Sequence, residues 1–231
     1  MIVKKAQTLK VIFPQERHAI VKGLDNYPDI LEVVKEAGTK TRFGEVWHSD
    51  NSYLPEPSGV SVLIGREIPS VGNDTVWAGM HLVYENLSKG LRETLDGMRA
   101  IHSASRAFSK SESRKENYDG KSQLKYEESE ALYREVSHPV VRTHPISGKK
   151  VIFVNQMFTL RFDGWTEEES KPLLDYLTGL PNRPEVQCRF RWKPNSIAIW
   201  DNRLVQHIAI GDGADTRRRI QRVTTKGEVP E

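Results

Sequence analysis

Short runs of β-branched and aromatic residues, separated by clusters of Gly, Pro, Asn, Asp and Ser, restrict this chain to a mainly β architecture. Residues 60–64 (VSVLI) form one such run. Thr75, Val76 and Trp77 begin another after a turn at residues 70–74. In residues 186–192, Val186, Cys188, Phe190 and Trp192 alternate with Gln187, Arg189 and Arg191, the period of a two-faced strand. A turn at Pro194 and Asn195 then leads into residues 196–200, which read as a buried strand. Residues 137–142 and 150–155 read as strands joined by a turn at 146–149. Residues 2–13 alternate loosely, as an edge strand does. Residues 27–37 suit either a strand or a short helix, with a turn at 38–41. Two segments have helical periodicity instead. Over residues 80–95, Leu82, Val83, Leu87, Leu91 and Leu95 recur at helical steps, and Gly97 stands where a left-handed C′ residue would end the helix. Residues 166–177 open with Thr166 and Glu169 at capping-box spacing and turn Leu173, Leu174 and Leu177 inward, with Pro172 inside the segment. The expected class is a β-sandwich or barrel with flanking helices.

The 231 residues are enough for one sizeable core and too few for two typical domains, so residues 1–231 are expected to form a single domain. A net charge of +3 gives no concentrated basic surface and no case for nucleic acid. A single cysteine, Cys188, excludes an internal disulfide and suits a reducing compartment; it is expected to be a small buried or half-buried residue. No apolar run reaches membrane-spanning length, and the first residues lack the apolar core and cleavage site of a signal peptide. These features predict a cytoplasmic protein with no membrane partner, and leave homo-oligomerisation open. Residues 109–128 are almost all charged or small and polar, the composition of a solvated, mobile loop or of a lid over a site.

Chemistry concentrates in two places. Trp47 is followed by His48, Ser49 and Asp50, and a third candidate ligand, His207, follows Trp200, Asp201, Asn202 and Arg203. On a strand end, His48 and Asp50 at i and i+2 point the same way and can converge on one ion. Two imidazoles and a carboxylate, one of them distant in sequence, form the 2-His-1-carboxylate set of non-haem Fe(II), which leaves coordination positions open. Beyond His207 lies the run Arg217, Arg218, Arg219, Ile220, Gln221, Arg222. If this run is a strand, Arg218, Ile220 and Arg222 share the face of His207, and each arginine there suits a carboxylate or sulfonate.

These motifs resemble those of the taurine dioxygenase family, which includes phenoxyacetate dioxygenases and alkylsulfatases. The matching stretches are WHSDNSY at 47–53, GNDTVWAGM at 72–80, HPVVRTHPISGKKVIFVN at 138–155, WDNRLVQH at 200–207 and RRRIQRVT at 217–224. The similarity covers residues 43–231, whereas residues 1–42 are divergent and short. The resemblance implies a double-stranded β-helix (jelly roll), short at its N-terminus. It also implies an Fe(II)-dependent dioxygenase that uses 2-oxoglutarate and O2, hydroxylates a small organic anion, and releases succinate and CO2. By the same resemblance the metal ligands are His48, Asp50 and His207. Thr75 and Arg218 would hold the distal carboxylate of 2-oxoglutarate. Arg222 would meet the substrate anion (a sulfonate, alkyl sulfate or aryloxy or carboxylic acid), with Phe108 and Phe158 as aromatic walls. His18 aligns poorly with a substrate-contacting histidine, and His102 and His144 receive no role. Asp50 argues against a halogenase, whose metal needs a vacant position for halide.

Two departures bear on the substrate. Only 47 residues precede His48, fewer than in the family. Gly44 stands where taurine dioxygenase has a polar residue near its substrate, which weakens the case for taurine itself. Two other readings remain. One is a non-catalytic or partner-dependent homologue that keeps metal and 2-oxoglutarate after losing part of its N-terminal cover. The other is a zinc hydrolase, which would have no use for Thr75 and Arg218 as an anion anchor.

Overall fold

A computed structural model of the chain describes residues 14–38, 44–108, 129–212 and 216–231. Among these residues the sheets are antiparallel throughout. The strands in chain order are β1 (Gln15–Glu16), β2 (Leu31–Lys35), β3 (Ser58–Glu67), β4 (Thr75–Gly79), β5 (Arg99–Ser103), β6 (Glu135–Pro139), β7 (Val141–Thr143), β8 (Lys150–Ile152), β9 (Thr159–Phe162), β10 (Gln187–Phe190), β11 (Ile197–Asp201), β12 (Val205–Ala209) and β13 (Arg218–Lys226). The α-helices are α1 (Met80–Glu85), α2 (Lys89–Leu95), the short α3 (Ser105–Phe108) and α4 (Glu167–Gly179).

Two sheets position the site. In the larger, β13 pairs with β3 along one edge and with β2 and β1 along the other, while β11 pairs with the far side of β3. The smaller has the order β10-β4-β12. They face each other across a cluster built from both: Leu63 and Ile220 with Val33, Trp200 and Ala198 from the large sheet, and Trp77, Phe190 and Val205 from the small one. The pleat sends Val76 and Ala78 to the opposite face of the small sheet. There they join Met80, Val83, Leu87, Leu95, Leu174 and Leu177 in the helix-covered core. The result is a set of antiparallel sheets with flanking helices. Further strands form a β6-β5-β9 sheet and a β7-β8 hairpin. No helix among the described residues is long and apolar enough to cross a membrane.

Several local expectations need correction. Residues 80–95 form two helices, because the Ser88 side chain accepts a hydrogen bond from the Leu91 N–H and starts α2. The periodicity had disguised the break, since Val83, Leu87 and Leu95 all reach the same core. Gly97, with φ +88°, takes the expected left-handed position after α2. Residues 137–142 divide between β6 and β7: Pro139 ends the edge strand β6, and the Val140 N–H leaves for the Met98 carbonyl at 2.9 Å. The ladder on β8 stops at Ile152, although Phe153, Val154 and Asn155 continue buried. Cys188 is exposed, not buried, because among the described residues β10 is an edge strand bonded only to β4. Residues 196–200 also lie on an edge, and Ile199 is 68% exposed. Residues 31–35 take the strand alternative. β5, β9 and β12 escaped the pattern reading because they are short and buried on both faces or interrupted by His and Gln. In α4 the capping box between Thr166 and Glu169 is formed, and Pro172 lies on the exposed side. The expected strand at 2–13, the loop or lid at 109–128, and most of the turn at 38–41 fall outside the described residues.

Candidate functional site

His48 and His207 are joined through their backbones. The His207 N–H donates to the His48 carbonyl at 2.9 Å, and the His48 N–H donates back at 3.2 Å. This isolated antiparallel bridge sets the imidazoles side by side, with ring centroids 4.2 Å apart. Asp50 follows at the end of the bridged segment, where Asn51 turns the chain with φ +53°, a conformation Asn tolerates better than most residues. One ligand atom from each of His48, Asp50 and His207 lies within 4.8 Å of the others, and all three residues are buried. The i, i+2 spacing thus brings His48 and Asp50 together, and the sheet pairing delivers the third group.

The protonation pattern suits a cation. His48 Nδ1 lies 2.7 Å from the Val46 carbonyl, so Nδ1 carries the proton and Nε2 keeps its lone pair. Burial pushes the His48 pKa down, and burial together with His48 pushes that of His207 down to about 3, so both rings are neutral. Burial opposes ionisation of Asp50, but the Arg222 guanidinium, with the Ser61 hydroxyl, holds its carboxyl well below the usual range. A buried carboxylate and two neutral imidazoles are the donor set that hard-to-borderline divalent metals such as Fe(II) take. The residues therefore fit a metal.

Around this centre, Asp50 is held on several sides. Ser61 Oγ donates to Oδ2 at 2.7 Å, and Arg222 Nη1 donates to Oδ1. Trp47, which precedes His48, is buried, with Nε1 donating to Asn182 Oδ1 at 2.9 Å. Asn51 donates to Glu16 Oε2 and Ser58 Oγ and accepts from the Tyr53 hydroxyl.

A cavity runs from the His48 and His207 rings to Thr75, Arg218 and Arg222, with Gly44 on its wall. As the period-2 reading expects, Arg218, Ile220 and Arg222 are buried on one face of β13, and Arg219 and Gln221 are less buried on the other. Arg218 is 8% exposed, and its Nε and Nη2 have no hydrogen-bond partner among the described residues. Burial lowers its pKa to about 10, against the pull of Asp74. Its guanidinium carbon stands 5.8 Å from the centre of the Trp192 ring. Thr75 Oγ1 accepts from Trp192 Nε1 at 2.9 Å, which leaves the hydroxyl proton available to an acceptor in the cavity. Gly44 has φ +84°, a conformation that L side chains rarely adopt, and a Cβ there would meet His48 Cε1 at a contact distance of 3.4 Å.

Phe158 lies edge-on to His48, with centroids 6.2 Å apart, and Phe108 is 6.2 Å from Phe158. Tyr53, which sequence reasoning missed, packs 4.9 Å from Phe158 in a buried cluster with Ile20, Ala104 and Leu132, and none of the three rings lines that cavity or the smaller one at His18. His18 packs against Phe108 at 6.3 Å and shares a second, smaller cavity with Glu16 and Arg222. Its Nδ1 accepts from the Ile20 and Val21 N–H groups, so its proton sits on Nε2. Burial raises the pKa of Glu16, against hydrogen bonds from Ser58 and Asn51. His102 and His144 are elsewhere: His102 packs with His138 and Phe153, and His144 bonds Ser147 and Asp201. Asn51 and Asn202 carried no sequence signal beyond their place in matching stretches, and Ser61 and Glu16 carried none.

Comparison with known proteins agrees with this arrangement. Residues 5–224 match the family described as taurine catabolism dioxygenase TauD, TfdA, a match that begins well upstream of residue 43. The chain is 31% identical over 221 residues to an alkylsulfatase of Acinetobacter baylyi, covering 92% of this chain and 65% of that protein. It is 34% identical over 215 residues to an alpha-ketoglutarate-dependent sulfate ester dioxygenase of Pseudomonas putida, covering 92% of this chain and 69% of that one. The crystal structure of a taurine dioxygenase from Burkholderia xenovorans superposes with a TM-score of 0.78 at 29% identity, covering 100% of this chain and 74% of that one.

Proposed function

The chain belongs to the taurine catabolism dioxygenase TauD, TfdA family, and from that premise we propose that it is an Fe(II)- and 2-oxoglutarate-dependent dioxygenase hydroxylating a small organic anion. The observation that carries this reading is Arg218: a buried guanidinium whose Nε and Nη2 have no hydrogen-bond partner among the described residues, in the cavity that His48 and His207 of the candidate metal cluster also line. An unpaired buried cation is costly, and a ligand carboxylate offsets that cost with charge-assisted hydrogen bonds. A zinc hydrolase gives no reason for such an anchor beside its metal.

In this reading His48, Asp50 and His207 hold Fe(II). The ion, with 2-oxoglutarate and O2, supplies the oxidising chemistry that ends in succinate, CO2 and a hydroxylated substrate. Arg218 and the Thr75 hydroxyl grip the distal carboxylate of 2-oxoglutarate and so orient its other end toward the metal ligands. Arg222 binds Asp50 through Nη1 and lines both cavities, so its remaining N–H groups are the donors for a substrate anion. Phe108 and Phe158 exclude water from the substrate's carbon chain. The two facing sheets close as a double-stranded β-helix, in a single domain spanning residues 1–231. Sulfonates, alkyl sulfates and aryloxy acids are the substrate classes to examine, since the relatives named above act on sulfate esters and taurine.

The test is succinate release from purified protein with Fe(II) and 2-oxoglutarate against a panel of these anions and their neutral analogues. Stimulation by at least one anion and not by its neutral analogue is the expected result. Stimulation by uncharged or cationic compounds alone overturns the anion assignment, and no 2-oxoglutarate binding by the Fe(II)-loaded protein overturns the cosubstrate.

A further inference from the structure

Asn202, 2% exposed, uses all four hydrogen-bonding positions of its side-chain amide. Oδ1 accepts from the Asp50 backbone N–H at 3.3 Å and from Trp200 Nε1 at 2.9 Å. Nδ2 donates to the Gly59 carbonyl at 3.1 Å and to Ser61 Oγ at 2.9 Å. The amide has one orientation, because a flipped group would set N–H against two N–H donors. Ser61 Oγ accepts a hydrogen bond from Asn202 Nδ2 and donates its own proton in a hydrogen bond to Asp50 Oδ2 at 2.7 Å. Thr224 Oγ1, at 3.4 Å, is a weak competitor for it. The other carboxylate oxygen, Oδ1, lies 3.9 Å from His48 Nε2 and accepts from Arg222 Nη1, which leaves it a further lone pair for a metal.

We propose that Asn202 is a positioning residue that acts through Ser61 to present Asp50 to the metal through Oδ1 alone. The inference rests on the reading of His48, Asp50 and His207 as metal ligands. A carboxylate rotates freely about its last bond unless both ends are held. Here the Asp50 backbone N–H is anchored to Asn202, Oδ2 accepts from a hydroxyl that Asn202 also holds, and Oδ1 accepts from Arg222 Nη1. One-oxygen ligation keeps a coordination position that a two-oxygen grip would fill. Hydrogen-bond partners of metal ligands are worth roughly 10–100-fold in metal affinity.

The test uses Co(II) as the probe, added to metal-free wild type, Ser61→Ala, Asn202→Asp and the double variant, with affinity and visible spectrum both recorded. Asn202→Asp keeps the shape and reverses the relay, because a carboxylate accepts the Ser61 proton. Ser61→Ala leaves three of the Asn202 bonds in place and is the variant least able to disturb the fold, which the melting temperature of the metal-free protein checks. The expected result is roughly 10–100-fold weaker Co(II) binding in each single variant. The band intensity should also change as Oδ2 becomes free to coordinate, and the double variant should lose no more than the weaker single. Affinity within about twofold of wild type with an unchanged spectrum in Ser61→Ala overturns the proposal; so does a lowered melting temperature without a spectral change, or additive losses in the double variant. If wild type itself takes up no Co(II), the ligand assignment fails first, which separates the two conclusions.

Discussion

Replacing Arg218 with Met should weaken 2-oxoglutarate binding and stabilise the ligand-free protein, two effects of opposite sign from one side chain. The guanidinium is 8% exposed, and burial lowers its pKa from 12.5 to about 10. Each pKa unit corresponds to about 1.4 kcal/mol, so keeping this group charged costs the empty protein on the order of 3 kcal/mol. A methionine fills similar space without a charge, and the Trp192 ring remains beside it. The empty Arg218→Met protein should therefore gain roughly 1–3 kcal/mol, read as a melting temperature at least about 2 °C higher for a chain of this size. With ligand the balance reverses. Truncating one partner of a buried, hydrogen-bonded charge pair costs roughly 2–5 kcal/mol, or about 30-fold and upward in dissociation constant. Anaerobic titration of 2-oxoglutarate into the Fe(II) protein, followed by its charge-transfer absorption, measures this second effect. Affinity within about threefold of wild type would refute the anchor role and point to another arginine of residues 217–222. A lower melting temperature would refute the claim that Arg218 is an uncompensated buried charge.

Thr75→Val should weaken 2-oxoglutarate by about 1 kcal/mol, a severalfold loss, and should also cost stability because Trp192 Nε1 loses its acceptor; calorimetric titration and thermal melting read the two separately. Asp50→Ala should abolish metal uptake, measured by dialysis and metal analysis, and destabilise the metal-free protein by roughly 3–5 kcal/mol in denaturant titration, because Arg222 loses its buried partner. Arg222→Gln should uncouple the reaction, so that succinate forms in excess of hydroxylated substrate in parallel assays of both products. Stability should fall on acidification through His138 and His102. Burial holds the His138 pKa at about 4 and that of His102 well below 6.5, so the unfolded chain binds protons that the folded protein refuses. The loss begins below pH ~6.5 and from His138 alone approaches about 3 kcal/mol by pH ~4. From pH 7 to pH 4.5 the melting temperature of wild type should fall more steeply than that of His138→Phe, and parallel curves would contradict this.

The candidate metal cluster was legible because its information is local and periodic. Residues i and i+2 at a strand end face one way whatever the rest of the fold does, and that parity sufficed for His48 with Asp50 and for Arg218 with Arg222. The capping box at Thr166 and the left-handed Gly97 were legible for the same reason, since each is settled within four residues of backbone. The break at Ser88 was hidden, because apolar spacing reports which face is buried and not whether the helix is continuous across it. Cys188 and Ile199 were misjudged because alternation marks a two-faced strand but does not say whether it lies at a sheet edge. Pairings between distant residues lay beyond the sequence altogether. Asn202 reaches Asp50 and Ser61 from the end of β11, and Arg222 reaches the Asp50 carboxylate from β13. Those contacts follow from strand register, which places Trp200 opposite Ser61 and Arg222 opposite Leu63. A hydrogen bond tolerates only a few tenths of an ångström, while a one-residue slip moves a side chain to the other face of its sheet. The sequence by itself determined which side chains were available for metal and anion; the tertiary structure decided which oxygen of Asp50 faces the histidines, and which arginine keeps two buried N–H groups unbonded among the described residues.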